Sequence, residues 1–522
     1  MAEKFDAIVI GGGHNGLVAA AYLARARRRV LLLEASEALG GALATSEISP
    51  DYLVSTAAHL IEAMPRRIEK DLKLAKHGLR FPARVLPTIL LARDRRHLRM
   101  TARRHDRIAL REWYGDDAAA HAALMKRIGS YAKALAPLLG QAAPLSGGAQ
   151  TARRVLRRLF RQAYGFGSGS FEALLHELPG SIGDLAEQTF ETEALKALVA
   201  FEAVRGTAEG PFSPGTVFSL IYRQAMRQGA LGPSVPLGGV GGLVGALAAS
   251  AQSLGVTIRV SSPVAHIRVE NGAVRGVELL GGEFVEAPIV LSSADPRHTM
   301  LDLLGAQYCD AGLASQVARI GMRGATAKLN LALDGLPTIQ GLEPAEYGAR
   351  LLALPSLAEL DQGYVSFKRG EVAFEPPMEV TLPSVNDASL APPGQHVMSI
   401  LVQYVPYEVR DGWAGQRDRL LGRIIDTLSV HAPDLRQRIV AGELLLPADI
   451  ERKFGLPGGG WNHGEMRPDQ LLMFRPTPGL AGMRTPLKGL YLCGAGAHPG
   501  GGISGVPGRL AAGLAIADEA RR

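Results

Sequence analysis

The hydrophobic pattern is sharpest at the two ends of the chain. Asp6-Ala-Ile-Val-Ile10 is a short apolar run that stops at Gly11-Gly-Gly-His-Asn-Gly16. Residues 17–28 follow with the Ala-rich spacing of a helix, and Val30-Leu-Leu-Leu-Glu34 is a second apolar run. Short apolar runs bounded by turn residues read as strands buried on both faces. The first 34 residues therefore predict a βαβ unit. Near the other end, Gly489-Leu-Tyr-Leu-Cys-Gly494 predicts another buried strand and residues 506–522 another Ala-rich helix. In the middle, residues 256–260, 264–269, 274–280, 284–287 and 289–295 predict short strands, with a turn at Asn271-Gly272. Together they read as a β-meander.

The turn residues give the first unit its chemistry. Gly11, Gly13 and Gly16 stand in the GxGxxG spacing between strand and helix. Gly11 allows the tight turn, Gly13 lets backbone approach a pyrophosphate, and Gly16 lets the helix pack on the strand. The helix N-terminus offers free N–H groups and a positive dipole end, and His14 and Asn15 in the turn before it are cofactor-contact candidates. Glu34 ends the second strand, where a carboxylate accepts hydrogen bonds from both ribose hydroxyls and repels a 2′-phosphate. The expected ligand is FAD or NAD rather than NADP. Gly40-Gly41 forms a second backbone-dense turn beyond that carboxylate. Ala495-Gly-Ala-His-Pro-Gly-Gly-Gly-Ile-Ser-Gly505 is a closing loop in which Gly494, Ala495, Gly501, Gly502 and Ile503 are cofactor-contact candidates.

The intervening segments carry no nucleotide signature. Asp116-Asp117 is expected to cap a helix reaching about residue 139. In residues 151–164, Val155, Leu156, Leu159, Phe160 and Ala163 fill one helical face and Arg153, Arg154, Arg157, Arg158 and Arg161 the other. That basic amphipathic helix suits either an anionic membrane surface or a cap packed on its own domain. Residues 93–111 alternate basic and apolar positions and predict a solvated β-hairpin. Pro236-Leu-Gly-Gly-Val-Gly-Gly242 fails the spacing of a second phosphate loop and leads into a helix.

Composition adds exclusions. The chain has 522 residues, a Lys+Arg excess of 57 − 50 = +7, and two cysteines, Cys309 and Cys493. The length suits two or three domains. The cysteines leave no disulfide scaffold or CxxC redox pair, and no metal site is expected. The mild positive charge, without aromatics interleaved among the basic residues, argues against nucleic acid. No apolar run is long enough to span a bilayer and no signal peptide is evident, so the expected location is cytoplasmic, with membrane association through residues 151–164 as the open alternative.

Gly11-Gly-Gly-His-Asn-Gly-Leu17, Ser213-Pro-Gly-Thr216, Pro236-Leu-Gly-Gly239, Ser293-Ala-Asp-Pro296, His463-Gly-Glu465 and residues 494–505 occur in order. Together they resemble the phytoene desaturase and carotenoid isomerase superfamily of FAD-dependent oxidoreductases, closest to the branch called pyridine nucleotide-disulphide oxidoreductase domain-containing proteins. Related flavoproteins carry Gly-Gly-Arg after the ribose carboxylate, where this chain has Ala42. The resemblance implies an α/β fold: a discontinuous Rossmann-like FAD-binding domain of glutathione-reductase or amine-oxidase type with the meander inserted, over residues 1–65, 232–300 and 486–522. A mixed-sheet and helical substrate domain would take residues 66–231 and 301–485. It further implies non-covalent FAD, with Val264 touching the adenine through its backbone, and hydride transfer from an apolar or amphipathic substrate.

The acid–base candidates are His463, Glu465 and His498, whose alternative role is to hold loop carbonyls. Met473-Phe474-Arg475-Pro476 is expected to line the approach to the flavin, and Tyr222 and Arg223 are further pocket candidates. The electron acceptor is expected to be oxygen, a quinone or a carrier protein. Oxidation of an amine or a secondary-metabolite intermediate is the alternative activity. A lipid-carrying binding protein on the same fold is the non-enzymatic one.

Overall fold

The computed structural model describes residues 4–100, 104–143 and 168–521. The basic stretch at 151–164 lies outside the described residues. The runs Ala7–Ile10 and Val30–Leu33 are strands buried at every position, as their unbroken apolar sequences require. They belong to a five-stranded parallel sheet in the order Leu490–Leu492, Val290–Ser292, Ala7–Ile10, Val30–Leu33 and Thr257–Arg259. Strands from the start, middle and end of the chain thus pair side by side, and their carboxyl ends open on one edge. In open α/β sheets ligands bind in that crevice.

The Ala-rich helices His14–Arg25 and Val506–Glu519 pack tightly against each other. A Cβ on Gly508 would lie 2.1 Å from the Asn15 carbonyl oxygen, so small side chains are what permit this crossing. Leu17, Val18 and Ala21 from the first helix and Ala511, Ala512 and Ala515 from the second join Ile8, Leu31 and Leu291 in one core. Each large aliphatic chain buried there contributes about 1.5–3 kcal/mol. The meander is Val264–Glu270, Ala273–Leu279 and Phe284–Glu286, antiparallel, with Asn271 and Gly272 at φ +51° and +71° in its first turn.

A second sheet has seven strands in the order Ile439–Leu445, Thr326–Leu333, His396–Gln403, Met378–Thr381, Arg350–Ala353, Thr88–Leu90 and Leu98–Met100. Alternation in Thr326–Leu333 sends Ala327, Leu329, Leu331 and Leu333 into a core shared with the helix Gln416–Ser429. Lys328 and Asn330, on the other face, reach the strap Thr45–Ser49/Tyr52–Ser55: Lys328 Nζ donates to the Ser55 carbonyl at 2.8 Å and Asn330 Nδ2 to the Thr56 carbonyl at 3.1 Å. The helices Ile182–Thr189, Glu193–Val204 and Thr216–Met226 form a further layer.

Two expectations are corrected here. The basic stretch 93–111 is a hairpin only in part: its strands are Thr88–Leu90 and Leu98–Met100, and a helix begins at Arg104. Nor is it solvated throughout. His97 is buried, accepting from Ala92 N at 3.0 Å and donating to the Gln340 carbonyl at 2.7 Å, while Arg99 pairs with Glu346 at 2.6 Å. These contacts make it a sheet edge tied to the domain. Asp117 does not cap its own helix. The break falls at Gly115 (φ +48°, ψ −120°), and the Asp117 carboxylate accepts from the N–H groups of Glu191 and Thr192 instead. Among the described residues no helix is long and apolar enough to cross a membrane.

Candidate functional site

The open edge of the parallel sheet holds a cavity of about 870 Å³, within the size range of small-molecule and cofactor sites. Its floor is the first glycine turn. Gly11 takes φ +94°, and a Cβ on Gly16 would stand 2.0 Å from the Gly11 carbonyl oxygen, so strand and helix meet only because that position lacks a side chain. Gly13, by contrast, has open space where its Cβ would be and faces the cavity. The helix His14–Arg25 starts there with no side-chain cap. His14 Nε2 and Asn15 Oδ1, both in cavity-lining residues, are buried without hydrogen-bond partners. An uncapped helix start beside orphaned polar atoms fits a polyanionic ligand.

Glu34 sits at the end of the second strand, 9% exposed and in the cavity wall. One carboxylate oxygen accepts from Gly12 N at 2.6 Å and the other from Ser36 N at 2.9 Å. Each oxygen keeps a second lone pair, which gives the residue two jobs: bracing the glycine turn and offering acceptors to a ribose. Gly40 N donates to the Gly12 carbonyl at 3.0 Å, joining the second glycine turn to the first. Gly40, Gly41 and Ala42 continue the wall, with Ser262, Pro263 and Val264 on the meander side. These residues fit a dinucleotide.

A second cavity of about 180 Å³ adjoins the first. His14, Ala42, Leu43, Trp461 and Ala495 line both. Burial pushes His14 down to about 4, helped by neighbouring His463, which burial also holds below the usual histidine range. Both rings are therefore neutral near pH 7. The second cavity mixes apolar walls, among them Leu60, Ala63, Met226 and Leu471, with His59, Glu62, Arg205, Arg223, Arg227 and Glu379.

Six of the charges there and just behind form a closed ring. Glu62 pairs with Arg205 (2.6 Å) and Arg227 (2.7 Å); Glu202 pairs with Arg227 (3.3 Å) and Arg350; Glu379 pairs with Arg350 and Arg205 (2.9 Å). Arginine and glutamate alternate, and the arginines hold Glu62, Glu202 and Glu379 below the usual carboxylate range against the opposing effect of burial. His59 Nε2 bonds Glu379 at 2.7 Å, yet burial keeps the ring's pKa below its ordinary value.

The sequence candidates divide on these cavities. Gly11, Gly13, His14, Asn15, Glu34, Gly40, Gly41, Val264 and Ala495 line the larger one, while Gly501, Gly502 and Ile503 line the smaller. Gly16 and Gly494 serve backbone packing; a Cβ on Gly494 would lie 2.3 Å from the Ser293 carbonyl oxygen. Tyr222 and Arg223 line the smaller cavity. His463 lines the larger, with its Nδ1 buried and unpartnered.

The two other acid–base candidates lie elsewhere. His498 is fully buried outside both linings, and its Nε2 donates to the Leu138 carbonyl at 3.0 Å, as a loop-holding histidine does. Glu465 is held by Arg323 at 3.0 Å and Arg467 at 3.6 Å, also outside both linings. Neither is positioned to touch a ligand in these cavities. Arg475 is corrected as well: its guanidinium binds the carbonyls of Ala495, Glu465, Gln470 and Asn462, tying the two loops together, while Phe474 is exposed. Reading the sequence missed Trp461 and the ionic ring. Among the described residues no group of three or more His, Cys, Asp or Glu could hold a metal ion.

The comparisons agree with this geometry. Residues 9–73 match the NAD(P)-binding Rossmann-like domain. The phytoene desaturase (neurosporene-forming) of Cereibacter sphaeroides is 25% identical over 315 residues, 59% of this chain and 58% of that one. The cyclohexylamine oxidase of Brevibacterium oxydans superposes over the whole of both chains with a TM-score of 0.60 at 16% identity, a likeness of fold. Pyridine nucleotide-disulfide oxidoreductase domain-containing protein 2 of Rattus norvegicus is 34% identical over 548 residues, covering 99% of this chain and 94% of its own. With a relative that close over its full length, the chain belongs to the pyridine nucleotide-disulfide oxidoreductase domain-containing family.

Proposed function

We propose that the protein is an FAD-dependent oxidoreductase that removes hydride from a C–H bond of an amphipathic substrate. The observation that carries this reading is the junction of the two cavities. One is large and glycine-floored with a ribose-ready carboxylate; the other is small and lined by apolar and charged groups; His14, Ala42, Leu43, Trp461 and Ala495 belong to both. Gly13, His14, Asn15 and Glu34 would hold the adenosine and pyrophosphate, and Gly501, Gly502 and Ile503 would lie along the far end. FAD bound there supplies a hydride acceptor at its N5 atom.

The chain's own residues supply the rest. Leu60, Ala63, Met226, Leu471 and Trp461 give the smaller cavity its apolar walls. His463, neutral and with an unpartnered Nδ1, lines the larger cavity beside His14, which lines both, and would take a proton at that junction as the substrate loses hydride. The relatives that desaturate polyenes and oxidise amines bracket the chemistry. The charged ring favours a substrate with a polar end over a wholly apolar polyene, because an apolar chain would leave those groups desolvated without gain.

Anaerobic titration of the flavin-loaded protein with polyenes, fatty acyl compounds and amines tests the reading. Bleaching of the flavin absorbance by acyl compounds or other carbon chains supports desaturation. Bleaching by amines alone replaces it with amine oxidation. A colourless protein that takes up no FAD removes both in favour of a binding protein.

A further inference from the structure

Arg223 stands apart from the ionic ring beside it. The ring is neutral by count: Arg205, Arg227 and Arg350 alternate with Glu62, Glu202 and Glu379, and every carboxylate has two guanidinium partners. Arg223, on the helix Thr216–Met226, is a fourth guanidinium with no carboxylate partner among the described residues. Its one hydrogen bond there runs from Nη2 to the Arg205 carbonyl at 2.6 Å, and its Nε is buried without a partner. His59 adds no charge and, engaged with Glu379, no counter-ion.

The surplus cation lies in the wall of the smaller cavity with Tyr222, Ser219 and Met226 of the same helix. Burial and the neighbouring Arg205 guanidinium lower its affinity for a proton to about 10, leaving it charged at neutral pH. An unpaired cation in a low-dielectric cavity is costly by itself, and an arriving anion relieves that cost. A guanidinium's planar fork matches a carboxylate best.

We infer that Arg223 is an anion-recognition residue of the smaller cavity and that the substrate carries a carboxylate, bound to Arg223, beside its reacting carbon chain. This deepens the proposed function and rests on its reading of the smaller cavity as the substrate compartment. The ring biases the site toward anions: Glu62 and Glu379 are each shared between two guanidinium groups, leaving Glu62 Oε1 as the one unpartnered carboxylate oxygen of the pair, and an ammonium group meets Arg223 as a like charge. Trp461, Leu60 and Met226 supply the apolar surface that a carboxylate-bearing ring or chain would cover.

The test uses benzoate, benzyl alcohol and benzylammonium, three probes of one shape and different charge, titrated calorimetrically into the full-length protein as purified. Benzoate is expected to bind wild type at least tenfold more tightly than either of the others. Arg223→Met should abolish that preference, with FAD content and thermal midpoint unchanged, and Arg223→Lys should restore part of it. Equal binding of benzoate and benzyl alcohol to wild type overturns the proposal, as does tighter binding of benzylammonium or an undiminished preference in Arg223→Met. The wild-type comparison stands even if Arg223→Met fails to fold. Calorimetry needs no flavin signal: carboxylate-selective binding by a protein that takes up no FAD would sink the oxidoreductase reading and leave Arg223 as the anion-recognition residue of a binding protein. FAD uptake without carboxylate preference would do the reverse.

Discussion

Glu34 offers the sharpest test of the larger cavity, because its two jobs can be separated. In Glu34→Ala the Gly12 and Ser36 N–H groups lose the acceptors now at 2.6 and 2.9 Å. Stranding the Gly12 N–H alone should cost about 1–3 kcal/mol of folding stability. The lone pairs that face the cavity are lost as well. A hydrogen bond to a charged group is worth about 1.5–3 kcal/mol, so losing one ribose contact should weaken FAD by about 10- to 100-fold. Glu34→Gln keeps one carbonyl acceptor but turns an amide N–H₂ toward a backbone N–H, and should fall between wild type and Glu34→Ala in both respects. Denaturant unfolding of the flavin-free protein measures the first effect, and FAD titration by flavin fluorescence the second. Unchanged FAD affinity in Glu34→Ala refutes the ribose role; unchanged stability of the flavin-free protein refutes the bracing role.

The remaining predictions concern the smaller cavity and its surroundings. Glu379→Gln should destabilise the protein by about 3–5 kcal/mol, since it leaves Arg205 and Arg350 short of a buried counter-ion; a denaturation midpoint equal to wild type would show the ring carries no such weight. Lys328 is lowered by burial to about 7, so between pH 7 and the unfolded value near 10.5 the unfolded chain binds more protons than the folded one. Stability of wild type relative to Lys328→Met should therefore rise with pH across that window, by up to about 1.4 kcal/mol per pH unit; parallel stability curves would contradict the shift. His463→Ala should slow substrate-driven flavin reduction while FAD stays bound, whereas His498→Ala should lower the thermal midpoint by stranding the Leu138 carbonyl; reduction unaffected in His463→Ala removes it from the chemistry.

What was legible in the sequence was what is local in it. The strand, Gly11 to Gly16, the helix and Glu34 lie within one 34-residue stretch, so the periodicity and the positions of the glycines expose the turn before any tertiary contact is known. Residues 501–503, in the other glycine-rich loop, were legible for the same reason, whereas Gly494, expected at the cofactor, packs against Ser293. The ionic ring was not: Glu62, Glu202, Arg205, Arg227, Arg350 and Glu379 come from six positions spread over more than half of the chain. Glu202 lies in the last turn of the helix Glu193–Val204 and Arg205 just past its end, a spacing that reads as a local pair, yet in the fold each binds partners elsewhere. His463, Glu465 and His498 looked equivalent as polar residues in glycine-rich loops. Only tertiary packing separates the one beside a cavity from the two spent on Leu138 and Arg323.

The central claim is that the glycine-floored cavity holds FAD. Titrating purified, flavin-free protein with FAD, and recovering the flavin after heat denaturation, tests it most directly. The account predicts one FAD bound per chain, with its fluorescence changed on binding and all of it released without covalent attachment. A folded protein that leaves FAD fluorescence unchanged at every concentration would contradict it.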